Sequence, residues 1–262
     1  MVEILDISFS SCILGTKATY DEGGIVSMSI EPRIQFISES ALLLEWKSIP
    51  SPKINREILA LHTYIHQHPF QGYIEGVPGY VTLTIHFQPF EMEQVDSFSY
   101  VKHHVLTKLH QIQQLIQHDQ TPKVIPIPVC YSSSFGPDLE FVSSFHNRRK
   151  EDIVSIHSQT DYPVYFLGFA PGFPFLGGMD ERIATPRKNS PRQQVPAGSV
   201  GIAGNQTGVY PLSTPGGWQI IGRTPIPLVT SDEQNPTLIK PGDIVRFQPI
   251  TEKEFVELEG SL

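Results

Sequence analysis

Apolar positions along the first half of the chain change period several times, and each change marks an element. Ile34–Trp46 (IQFISESALLLEW) is apolar-rich and stops before Ile49-Pro50-Ser51-Pro52, so it predicts a strand running into a turn. Ser51 then stands as a helix N-cap, with Pro52 at the first helical position. Ile54, Ile58, Leu61 and Ile65 follow at helical spacing, until His68-Pro69 ends the helix. Tyr80–Phe87 (YVTLTIHF) alternates with period two and is rich in β-formers, which predicts a strand. A second helix is predicted over Ser97–His118, with Val101, Val105, Leu109, Ile112 and Ile116 on one stripe. Val124–Tyr131 (VIPIPVCY) must be extended, because Pro126 and Pro128 forbid helix.

Strand–helix–strand–helix–strand predicts an α+β sandwich with helices on one sheet face. The second half reads differently. Two short helices, from Asp138 to about His146 and from Lys150 to His157, precede short strands and turns that end in the strand Ile244–Pro249. Such a series of strands, densely punctuated by Gly and Pro, predicts a β-barrel. Asp119-Gln120-Thr121-Pro122 is the polar junction, giving units over 33–120 and 121–262. Residues 1–32 join neither pattern. They read as an extension in which Ile4–Leu14 adds at most one strand, the alternative being that translation starts at Met28.

The most distinctive segment is Tyr165–Pro225. Its glycines permit positive φ and close backbone approach, its prolines remove donors, and its composition is too apolar for a linker. It reads as shaped turns that leave backbone N–H groups and arginines facing a ligand. Arg187, Arg192 and Arg223 supply forked donors for a carboxylate, phosphate or carbonyl. Gln206 and Thr207 offer polar tips beside the glycines of GSVGIAG, while Tyr210 and Trp218 offer flat apolar faces with one donor each. The alternative is that the glycines only shape barrel corners while the arginines cap carbonyls or pair with Asp180, Glu181 and Asp232. His157, just ahead of the barrel strands, is a candidate general base or simply a helix-terminal histidine.

Composition narrows the classes. The 262 residues carry a net charge of −8, which disfavours nucleic acid and acidic membranes as partners. The longest apolar stretch, Val164–Met179, is broken by glycines and prolines and cannot span a bilayer. Cys12 and Cys130 make no disulfide framework, and no signal-peptide pattern opens the chain, so a cytoplasmic protein is expected. There is no phosphate-loop, dinucleotide-fold, nucleophile-elbow or zinc-protease motif. His62 and His66 have ligand spacing but no evident third partner, so no metal is expected.

LGFAPGFPFLGGMD, ATPR, VPAGSVGIAG, QTGVYP and PGGWQIIGRTP resemble the signature of the KipI/PxpB family, which is also named for allophanate hydrolase subunit 1 and for one of the two carboxyltransferase domain subunits. ESALLLEW and PVCYSSSFGPDLE resemble its earlier motifs, and Ser38-Glu39-Ser40 departs from its common Gly-Asp-Ser. The resemblance covers about Arg33 to Pro249. It implies an N-terminal α/β sandwich domain followed by a cyclophilin-like β-barrel domain. It also implies the B subunit of an ATP-dependent 5-oxoprolinase, acting with a homologous C subunit and a third, A subunit to open 5-oxo-L-proline to L-glutamate. A second implied role is a binding protein that inhibits a sensor histidine kinase. A part in urea carboxylase is a poorer fit, since no biotin-carrier or ATP-grasp segment is present. On this view Arg187, Arg192 and Arg223 bind the anion, Gln206, Thr207 and Tyr210 orient the amide, and His157 is a proton-transfer candidate.

Overall fold

The computed structural model describes residues 31–46, 49–93, 96–115 and 122–261. The expected extension therefore lies outside the described residues except for Glu31 and Pro32. So do Cys12, Met28, Ile116, His118 and most of the 119–122 junction.

The apolar run Ile34–Trp46 is a hairpin rather than one strand: β1 (Arg33–Ser38) pairs antiparallel with β2 (Ala41–Glu45). Glu39-Ser40 makes the turn, where the Ser40 N–H donates to Ser38 Oγ at 3.2 Å. Small polar residues bond locally in this way and so compete with a continuous strand. Helix α1 (Pro52–Gln67) begins as expected, with extended Ser51 accepting from the Ile54 N–H at 3.4 Å. Next come β3 (Tyr73–Pro78), absent from the sequence reading because Gly76 breaks its pattern, and β4 (Thr82–Phe87). Helix α2 (Ser97–Leu115) completes the unit. The sheet order is β1-β2-β4-β3, all antiparallel. Leu42, Leu44, Leu83, Ile85 and Phe87 project from it onto Ile54, Ile58, Leu61 and Ile65 of α1 and Val101, Val105, Leu109 and Ile112 of α2. Each such fully buried side chain contributes about 1.5–3 kcal/mol.

The remaining elements begin with β5 (Val124–Cys130), α3 (Leu139–Phe145), α4 (Lys150–Gln159), β6 (Asp161–Leu167) and β7 (Pro174–Leu176). They continue as β8 (Arg192–Val195), β9 (Ser199–Ala203), β10 (Gln206–Val209), β11 (Thr214–Gly216), β12 (Gln219–Arg223) and β13 (Ile244–Ile250). A helix the sequence reading missed, α5 (Glu252–Glu259), starts at a Thr251–Glu254 capping box. Seven strands form one sheet in the order β10-β9-β12-β5-β13-β6-β7, while β8 and β11 make a separate two-stranded ribbon. The outer strands β7 and β10 pack against each other, so the sheet is nearly a closed barrel.

Proline placement explains how β5 stays in this sheet. Strand β12 pairs with it only at Cys130, while β13 runs parallel along its whole length. Residues of even number point their backbone groups toward the β12 side, so the N–H groups missing at Pro126 and Pro128 fall where few ladder bonds exist. Ile125, Ile127 and Val129 join Tyr162, Val164, Val200, Ile202, Val245 and Phe247 in the barrel core. A second cluster, of Phe173, Tyr210, Trp218 and Ile220, packs against Val195 of the ribbon. The two units also touch directly: Asn55 Nδ2 of α1 donates to the Tyr165 carbonyl at 2.9 Å.

Candidate functional site

The Gly/Pro segment builds one side of the barrel, and Asp138 is its electrostatic centre. Asp138 precedes α3 and is only 5% exposed. Its Oδ1 accepts from Arg192 Nη2 at 2.7 Å and Lys188 Nζ at 3.1 Å, and its Oδ2 accepts from the Ile220 N–H at 2.7 Å. Burial alone would raise the Asp138 carboxyl, but the hydrogen bonds from Arg192, Ile220 and Lys188 outweigh it and hold it below the usual carboxylate range. Arg192 opens β8 opposite Gly216 of β11, so the ribbon register carries the guanidinium to Asp138. Its Nη1 is buried and has no hydrogen-bond partner. Gln219, at the start of β12, donates from Nε2 to the Pro186 carbonyl at 2.9 Å, while its Oε1 is buried and unpartnered.

The other expected arginines part company with Arg192. Arg223 donates through Nε to the Ala197 carbonyl at 2.9 Å and lies 5.8 Å above the Phe255 ring. This is the carbonyl-capping role weighed at the sequence level, and it ties β12 to α5. The glycine beside that contact is required: Gly198 has φ +80°, and a Cβ there would overlap the Thr224 carbonyl. Arg187 is exposed, and its charge works against the burial that raises the Tyr80 and Tyr210 hydroxyls.

Tyr80, from the turn before β4, reaches across to the second unit. Its ring stands edge-on to Tyr165, Phe166 and Phe175 with centroids 5.0–5.7 Å away. Gln206 Nε2 donates to its hydroxyl. Desolvation first, then Tyr165, pushes the Tyr80 hydroxyl up to about 12. Tyr210 and Trp218, expected to line a groove, are instead buried, meeting Phe173 edge-on at 5.6 Å each. They pack with Val195 of the ribbon.

Thr207 and His157 lie deeper still. Thr207 Oγ1 donates to the Gly201 carbonyl at 3.1 Å, so it must accept the 2.8 Å bond from His157 Nε2–H. His157 Nδ1 is then the acceptor for the Tyr131 hydroxyl, also at 2.8 Å. The ring stacks on Phe247 at 4.6 Å, and desolvation pushes its pKa down to about 3. His157 is thus a neutral, fully engaged imidazole with no free lone pair for a substrate proton. The structure brings Arg192, Gln206 and Arg187 to one side of the barrel and places His157, Thr207, Tyr210 and Trp218 behind them. Sequence reasoning missed Asp138, Lys188, Gln219 and Tyr80. Asp138 and Lys188 lie 50 residues apart in the chain, a separation no local motif reveals.

Among the described residues, no group of three or more His, Cys, Asp or Glu side chains is placed to hold a metal ion. No described helix is long and apolar enough to cross a membrane.

The family model for the carboxyltransferase domain, subdomain C and D, matches residues 32–239. The chain is 44% identical over 234 residues to the B subunit of 5-oxoprolinase from Bacillus subtilis, covering 87% of this chain and 97% of that one. It is 41% identical to the B subunit of 5-oxoprolinase from Haemophilus influenzae, over 80% of this chain and 94% of the relative. Among solved structures, that of TTHA0988 superposes on 80% of this chain with a TM-score of 0.68 at 34% identity. The chain spans only 39% of TTHA0988, so that protein carries the same fold within a longer polypeptide.

Proposed function

This chain belongs to the family of carboxyltransferase domains, subdomains C and D, and from that premise we propose that it is the B subunit of an ATP-dependent 5-oxoprolinase. The observation that carries the reading is the nearly end-to-end match to the Bacillus subtilis B subunit, 44% identical across 97% of that protein. A match of that extent spans the surface as well as the scaffold. In this reading the chain works with the A and C subunits, and the complex opens 5-oxo-L-proline to L-glutamate with hydrolysis of ATP. Its two units act as separate domains, over 33–120 and 121–262, the second a cyclophilin-like barrel, and the protein resides in the cytoplasm.

The chemistry of the barrel side supports an anionic ligand. Arg192 keeps a buried donor unused, and exposed Arg187 stands beside Tyr80 and Tyr210. We assign Arg192 to the anion, with exposed Arg187 and Gln206 flanking it on the same side of the barrel. Arg223, Thr207, Tyr210 and Trp218 hold that surface in place, and His157 sets its backing rather than moving a proton. No nucleophile–base pair emerges among these residues, which accords with an active site completed by another polypeptide of the complex.

The test is reconstitution. Purified chain mixed with the A and C subunits from the same genome should release glutamate from 5-oxo-L-proline with ATP consumption, and omitting this chain should abolish the release. Glutamate formation that persists without the chain, or never appears with all three subunits present, would overturn the reading. In the active complex, Arg192→Ala should lower glutamate formation by at least ~10-fold, the usual size for loss of a charge-assisted contact.

A further inference from the structure

We infer that the Asp138–Lys188–Arg192 cluster, together with Gln219, is the pocket that reads a small N–H-bearing carboxylic acid, Arg192 and Lys188 taking the carboxylate and Gln219 Oε1 the N–H. The identification of that acid as a lactam acid, 5-oxo-L-proline, rests on the 5-oxoprolinase reading.

Charge balance is the first argument. One buried carboxylate, that of Asp138, faces two cations, Lys188 and Arg192, and no other acidic partner of either appears among the described residues. A cluster left with excess positive charge at low dielectric favours an incoming anion. The cations are reachable, with side chains 32% and 27% exposed, whereas the Asp138 side chain is only 7% exposed. The carboxylate is thus the buried counter-charge that both cations share.

Unused hydrogen-bonding capacity is the second argument. Arg192 commits Nη2 to Asp138 and leaves Nη1 buried without an acceptor. Lys188 has three ammonium protons and commits one of them to Asp138. Gln219, itself 3% exposed, commits its amide N–H to Pro186 and leaves Oε1 buried without a donor. Its amide cannot flip to cure this, because Nε2 would then lose the Pro186 carbonyl. Buried polar groups left without a partner are costly, and a ligand that pairs with them removes that cost.

The two unused atoms belong to one bonded assembly. Pro186, which holds Gln219, lies two residues before Lys188, and the Ile220 N–H that follows Gln219 binds Asp138. The assembly therefore offers donors for an anion and a fixed acceptor for an N–H. Acetate, which has no donor, would satisfy the first and not the second. A lactam acid carries its carboxylate one carbon from its ring N–H and can satisfy both.

Titration calorimetry on the chain, alone and within the reconstituted complex, tests this with two probes, 5-oxo-L-proline and cyclopentanecarboxylate, which keeps the acid and lacks the N–H. Arg192→Gln should weaken both probes by ~10-fold or more, and Gln219→Leu should weaken 5-oxo-L-proline by ~10-fold while leaving cyclopentanecarboxylate unchanged. Should Arg192→Gln fail to fold by circular dichroism, Lys188→Gln makes the same test from the exposed side. Unchanged 5-oxo-L-proline affinity in the folded variants, in a complex that makes glutamate, overturns this pocket and leaves the 5-oxoprolinase reading standing. A complex that makes no glutamate, while the variants show the expected losses, overturns the 5-oxoprolinase reading and keeps a pocket for an N–H-bearing acid. No binding of either probe, alone or in the complex, overturns the pocket.

Discussion

The two units of this chain solve the interior in opposite ways. The first buries leucines, isoleucines and valines between a four-stranded sheet and two helices, and its buried Asn55 turns outward to the Tyr165 carbonyl of its neighbour. The second buries Asp138, His157, Thr185, Ser199, Thr207, Gln219 and Thr224 within or beside its barrel. Apolar contacts are non-directional and tolerant, whereas buried polar groups demand partners at fixed positions. The first unit is therefore held by the quantity of its core and the second by the pairing of its hydrogen bonds. In the second unit that pairing fails to close at Arg192 Nη1, Thr214 Oγ1 and Gln219 Oε1, and in the first at Trp46 Nε1, Tyr73 Oη and His104 Nε2; only Arg192 and Gln219 join the Asp138 cluster.

The polar interior depends most on Asp138, and Asp138→Ala should have the largest effect. It leaves two cations without their carboxylate and the Ile220 N–H without an acceptor, so a loss of about 3–5 kcal/mol is expected in urea unfolding. Adding Arg192→Met should restore part of that loss, because the second change removes a stranded charge. A double variant no more stable than Asp138→Ala would show that the cluster is not one electrostatic unit. Leu61→Ala tests the other unit. It deletes a fully buried side chain between α1 and the sheet, and should cost about 2–5 kcal/mol whatever the salt concentration. A strong salt dependence at Leu61 would erase the contrast between the units.

Legibility followed the same divide. Helix α1 was readable to its cap, because Ser51, Pro52 and the stripe Ile54, Ile58, Leu61, Ile65 each act through neighbours in sequence. The β1–β2 turn was not, since Ser38-Glu39-Ser40 carries no Gly or Pro to announce it. In the second unit the short helices, the extended β5 and β13 were legible, as was the turn-rich character between them. Arg192 stood out as a forked donor in turn-rich sequence, and Gln206 as a polar tip beside glycines. Their use was not legible, because Asp138 and Tyr80 come from distant segments and meet them only in the fold. Tyr210 and Trp218 misled for a related reason. An aromatic with one polar atom looks like a groove wall in sequence, but here Tyr210 accepts from the Trp218 backbone and both complete a core.

His157 supplies a pH-dependent version of the contrast. Its folded pKa of about 3 lies below the ordinary value of 6.5, because burial of the ring disfavours the charged imidazolium. Below pH 6.5 the unfolded chain takes up a proton that the folded chain refuses. Stability from this group is therefore full above pH 6.5 and declines as pH falls toward 3, by about 1.4 kcal/mol per pH unit. Urea midpoints at pH 7, 6 and 5 should show that slope in the parent and lose it in His157→Gln, which is less stable at pH 7 but flatter. An equally steep decline in the variant would assign the effect to carboxylates instead.

The smallest effect tests whether the barrel side stores strain as well as unused donors. Phe169 holds φ 64°, a left-handed conformation unusual for a bulky side chain; the residue is 71% exposed, and its ring meets Phe173 edge-on at 5.5 Å. Phe169→Ala removes the aromatic contact and keeps the strain, so it should cost about 1 kcal/mol. Phe169→Gly removes both, and relief of the left-handed backbone, worth about 1–2 kcal/mol, offsets the lost contact and the freer unfolded chain. Glycine at 169 should therefore be more stable than alanine, the reverse of their order in an ordinary helix or strand. Thermal melts of the two variants decide the point. If alanine is the more stable, the loop between β6 and β7 is relaxed as it stands. Apart from its shaped glycines, the barrel side would then differ from the first unit in polarity alone.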